Sequence, residues 1–105
     1  MINIRFITTH STLTGFEMNG HSGYSESGSD IVCAAVSSAA YMTVNTVTDV
    51  LGIDADISVS DGFMMMKLSA KDAQIAQDIL RGFEIHVSEL SEQYKSNISV
   101  IYSEV

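Results

Sequence analysis

A single cysteine, Cys33, is the only thiol in this chain. One thiol cannot form an internal disulfide, and a two-cysteine redox motif is excluded by count. Basic residues are also scarce: five Lys and Arg stand against thirteen Asp and Glu, a net charge of −8. Such a surface repels phosphate backbones and anionic lipids and favours basic partners, so no direct nucleic-acid binding is expected. The acids are scattered singly, with no acidic tail, so solubility alone accounts for them. No apolar run is read as approaching the roughly 20 residues that span a bilayer. The N-terminal Met-Ile-Asn-Ile-Arg-Phe-Ile has neither a basic leader region nor a small-residue cleavage site. The expectation is a cytoplasmic protein without a membrane partner.

What remains is a chain of 105 residues, 46% apolar and 17% charged, read as one domain over 1–105 with its own core. Ile2, Ile4 and Phe6 alternate with polar residues, and Phe16 and Met18 do the same, which predicts a hairpin over 2–8 and 13–20. Residues 31–50, rich in Ala and Val, predict a mostly buried helix ended by Gly52. Residues 55–60 and 63–68 alternate around Asp61-Gly62, a strong two-residue hairpin signal. From Ser69 or Ala70, apolar residues recur at steps of three or four to Tyr94, predicting a second, amphipathic helix of about 24 residues. Residues 98–102 read as a last strand. The order ββαββαβ implies an α+β two-layer sandwich, a mostly antiparallel sheet packed with two helices.

The chemistry concentrates between Gly20 and Ala35. His21 is followed by a Gly- and Ser-rich stretch (Ser22, Gly23, Tyr24, Ser25, Glu26, Ser27, Gly28 and Ser29), read as an exposed flexible loop. Asp30 then reads as an N-cap, placing Cys33 in the first helical turn. There the positive end of the helix favours a thiolate, and free main-chain amides could receive an oxyanion. Asp30 opposes this. A unit charge about 7 Å away, at an effective dielectric near 20, disfavours the thiolate by about 2.4 kcal/mol. The helix end returns only about 0.3–1 kcal/mol, or about 2 when partly buried. His21 must therefore supply the difference, as base or as imidazolium, with Asp30 orienting it or capping the helix. The bland alternative is a buried, inert cysteine beside Val32 and Ala34.

Other chemistries read less well. Gly23 to Gly28 has phosphate-loop spacing, but Ser29-Asp30 stands where Lys-Ser/Thr is required. Cys33 with His10, His21 and His86 has no recognised zinc spacing, so neither metal nor cofactor is expected. His10 and His86 read as structural or exposed. In Met64-Met65-Met66, Phe63 and Met65 should face one side of a strand and Met64 and Met66 the other, as if both faces were covered. One cover would be the helices, the other a sister subunit or an extended substrate, with plain core packing as the simpler reading.

The run Gly-His-Ser-Gly-Tyr-Ser-Glu-Ser-Gly-Ser-Asp-Ile-Val-Cys-Ala-Ala-Val-Ser, residues 20–37, resembles the signature of the ribosomal-processing cysteine proteases, the Prp family. The likeness extends to chain length, element order and acidic character. It implies a cytosolic endopeptidase, acting as a homodimer, that removes the N-terminal extension of the large-subunit ribosomal protein L twenty-seven. On this resemblance Cys33 matches the nucleophile, His21 the base and Asp30 the acidic position, with the loop ordering around substrate. Ser22, Ser25 and Ser29 depart from the residues usual at those places. The rival reading is a non-catalytic dimeric module that binds a basic ribosomal protein or assembly factor.

Overall fold

The structure, a computed structural model, describes residues 1–20 and 26–105, with the side chains of 26–30 outside the description. β1 (Ile2–Thr9) and β2 (Thr12–Gly20) form the first hairpin. Its turn residues His10 and Ser11 both have positive φ, 50° and 66°, the pairing that matches the twist of two antiparallel strands. α1 (Glu26–Asn45) follows and closes in a π-helical turn, Thr46–Val50. β3 (Asp56–Ser60) and β4 (Phe63–Lys67) form the second hairpin, then come α2 (Ala70–Ile75), α3 (Gln77–Gln93) and β5 (Ile98–Glu104). The five strands lie in the order β3-β4-β2-β1-β5. Three of the pairings are antiparallel, and β5 runs parallel to β1. The fold is the expected α+β sandwich with a mixed, mainly antiparallel sheet.

One face of the sheet meets the helices. Ile4 and Phe6 from β1, Phe16 from β2 and Met66 from β4 are buried against Val36 of α1 and Leu80 and Phe83 of α3. Three phenylalanines lock this centre: Phe83 packs 4.8 Å from Phe16 and edge-on to Phe6 at 5.7 Å, measured between ring centroids. Aromatic pairs in such geometry stabilise by about 0.5–1.5 kcal/mol beyond their buried area. Val32, Val36, Ala40 and Val44 bury at steps of four, so α1 is a core helix. Its span Ile31–Val50 is nonetheless long and apolar enough, by length and composition, to cross a bilayer. That corrects the expectation that no run approaches such a length. Packing of the valine stripe against the sheet and α3 accounts for its hydropathy.

Two element boundaries also differ from expectation. α1 starts at Glu26, so Glu26, Ser27, Gly28 and Ser29 are helical and not part of a loop. Asp30 therefore does not cap the helix. A cap preference is worth only about 1 kcal/mol, whereas extending an existing helix adds a hydrogen bond for each residue fixed. A glutamate is also favoured in the first turn. The long second helix is instead two, α2 and α3, broken at Ala76, whose φ and ψ are −91° and 5°. Gln77 holds the break. Its side chain accepts from the Leu13 N–H at 2.9 Å and donates to the carbonyls of Leu13 and Ala73 at 3.0 and 2.9 Å.

The methionine run divides as the strand period requires. Met64 and Met66 enter the core, while Phe63 and Met65 are half-buried on the opposite face. No helix among the described residues covers that face, so the second cover does not come from the described residues. The salt bridge between Arg5 and Glu17 lies on the same side.

Candidate active site

Cys33 occupies the eighth position of α1, counted from Glu26. In a regular helix the N–H of residue 33 donates to the carbonyl of residue 29. The amides around Cys33 are thus engaged within the helix, and the unpartnered ones lie a turn earlier, at the true start. This overturns both the placement of Cys33 in the first turn and the expectation that amides beside it receive an oxyanion. The sequence signal failed because Asp30, which looks like a cap, sits inside a helix that runs through it.

Cys33 is half-buried and packs against the core cluster. Valines at 32 and 36 face inward, which leaves position 33 at the margin of the buried stripe and turns the thiol toward a cleft of about 300 Å³. Cys33, Ser37 and Tyr41 supply the α1 side of this cleft, and Met18, Met64 and Val59 supply the sheet side. Paired registers place those last three on one face: Met18 opposes Met64, and Met64 opposes Val59. The cleft thus has an apolar base and an open rim formed by Ser60, Asp61 and Gly62 at the tip of the second hairpin. A side chain of a passing peptide could bury there with its carbonyl beside the thiol.

His21 and the segment Ser22, Gly23, Tyr24 and Ser25 lie outside the described residues. Gly20, bonded directly to His21, lines the same cleft as Cys33. The other two histidines are elsewhere: His10 is in the β1–β2 turn, at the far end of the hairpin from Gly20, and His86 is exposed on α3. Of the three, His21 alone follows directly on a residue that lines the Cys33 cleft. Among the described residues no three His, Cys, Asp or Glu stand together as metal ligands.

Gly20 itself is a residue that sequence reasoning passed over. Its φ is +96°, and a Cβ there would sit 2.2 Å from the carbonyl oxygen of Met1. Only glycine fits that turn into the cleft. The signal was present in the Gly-His pair, but nothing in the sequence says which backbone the glycine must approach.

A lone, partly accessible thiol opening on a cleft at the border of a helix and a sheet has the placement that the nucleophile of a cysteine protease requires. The model of the family described as cysteine protease Prp matches residues 1–99, and the chain belongs to that family. It is 30% identical over 94 residues to the ribosomal processing cysteine protease Prp of Bacillus subtilis, covering 84% of each chain. Two crystal structures of the Staphylococcus aureus Prp superpose closely. One, with a covalently linked product peptide, has a TM-score of 0.85 and 28% identity over 98% of this chain and 100% of that one. The other, with a substrate peptide, has a TM-score of 0.86 and 26% identity over the same shares.

Proposed function

We propose that this protein is a ribosomal-protein-processing endopeptidase whose nucleophile is Cys33 and whose base is His21. The observation that carries the reading is the convergence of Cys33 and the attachment point of His21 on one peptide-sized cleft. In the reaction, His21 takes the thiol proton as sulfur attacks the scissile carbonyl carbon. The carbon–nitrogen bond then breaks, His21 returns the proton to the leaving amine, and a thioester remains on Cys33. Water attacks the thioester, with His21 as base, and releases the new carboxylate and the free thiol. Asp30 orients the imidazole. The covalently linked product peptide held by the S. aureus relative agrees with such an intermediate.

The substrate we assign is the N-terminal extension of ribosomal protein L twenty-seven, met in the cytoplasm by a homodimer of this chain. Residues 22–29 would contact it, the first four from the segment before α1 and Glu26, Ser27, Gly28 and Ser29 from its first turn. The net charge of −8 suits a basic ribosomal partner. Incubation with a peptide spanning that extension, read by mass spectrometry, tests the assignment. One cut at the mature N-terminus is expected, and an untouched peptide would remove this substrate. Selective alkylation of Cys33 at neutral pH separates the protease from a module that only binds.

A further inference from the structure

The Cys33 cleft has an apolar base and a mixed lining that includes Asn19, Ser37 and Tyr41, and among the described residues that line it one side chain is charged: Asp61. Asp61 stands at the tip of the β3–β4 hairpin, exposed, with no ion pair or hydrogen bond to its carboxylate among the described residues. Its place is fixed. Gly62 accepts a hydrogen bond from the N–H of Gly20 at 3.0 Å, which ties the hairpin tip to the end of β2. The backbone of the hairpin tip that carries Asp61 is thus held at the mouth of the cleft, beside a base formed by Met18, Met64 and Val59.

We propose that Asp61 is a specificity-determining residue, selecting substrates that carry a lysine or arginine close to the apolar side chain that fills the cleft. The proposal rests on the protease reading above and adds the charge of the substrate to it. A carboxylate at the rim of the cleft, without a partner among the described residues, attracts a cation and repels an acid. The competing explanation is local: Asp-Gly is a good hairpin turn whatever its charge. Asp61→Asn separates the two, because Asn-Gly keeps the turn and removes the charge.

Cleavage of a proteome-derived peptide library by the full chain, with sites read by mass spectrometry, is the test. Wild type is expected to enrich Lys or Arg at one position near the scissile bond. Asp61→Asn should lose the enrichment, with KM for an enriched peptide rising about fivefold and kcat unchanged. Asp61→Lys should turn the preference toward Asp or Glu. Enrichment that survives in Asp61→Asn overturns the proposal, as does a library cleaved without charge preference. A second arm needs no catalysis. The Cys33→Ala chain is titrated with fluorescein-labelled octapeptides that have a central Phe and a Lys or Glu walked through the flanking positions. At the best position the Lys peptide should bind several-fold tighter than its Glu twin, a gap that Asp61→Asn closes. Equal affinities at every position overturn the inference, whereas a chain that binds in this way but cleaves nothing leaves it standing and removes the protease reading.

Discussion

The N–H of Gly20 donates to the carbonyl of Gly62 at 3.0 Å, so the last residue of β2 is fastened to the tip of the neighbouring hairpin beside the Cys33 cleft. This bond sets where His21 begins. Gly20→Ala would force a Cβ against the Met1 carbonyl at a φ that L-residues avoid. Urea unfolding should show a loss of at least about 2 kcal/mol. Peptide cleavage should fall further than the lost stability explains, because Gly20 carries His21, the proposed base.

Gln77 closes the gap between α2 and α3 by bonding both main-chain groups of Leu13. Gln77→Ala leaves the Leu13 amide and carbonyl without those partners. We expect a destabilisation of about 1–3 kcal/mol in chemical denaturation, with cleavage parameters of the remaining folded protein unchanged.

How much of this was legible in the sequence depends on where the signal lay. Ile2, Ile4 and Phe6, and the pair Asp61-Gly62, announced the hairpins because alternation and turn chemistry are local. The break at Ala76 was not legible, since alanine carries no stop signal and the partner that stabilises the break, Leu13, is distant in sequence. The start of α1 was misread for a related reason: Asp30 has the form of a cap, and only the backbone shows the helix passing through it. The thiol and its histidine were visible as a motif. The cleft beside Cys33 was not, because Met18, Val59 and Met64 come from three separate strands.

Tyr102 offers a pH test of the α3–β5 contact. Burial, reinforced by its hydrogen bond to the Glu84 carboxylate at 2.6 Å, pushes the phenol above its ordinary value of 10.0. A raised folded value means that the contribution to stability is complete below pH 10.0 and is lost as pH rises through the folded value. Phenolate absorbance, with Tyr102→Phe subtracted, should show Tyr102 ionising late, and Glu84→Gln should bring it down toward the ordinary value.

Phe83 touches both Phe6 and Phe16. Its truncation to alanine opens a cavity where α3 meets the sheet, and a cost of about 3–5 kcal/mol is expected in thermal or urea unfolding.

The central claim, that Cys33 is the nucleophile of peptide cleavage, meets its most direct test in one comparison. The initial rate on a cleaved peptide is measured for wild type and for Cys33→Ala, both shown to be folded by circular dichroism. The account requires a fall of at least about a thousandfold, to the background of the peptide alone. Cleavage by Cys33→Ala at a rate near that of wild type would contradict it.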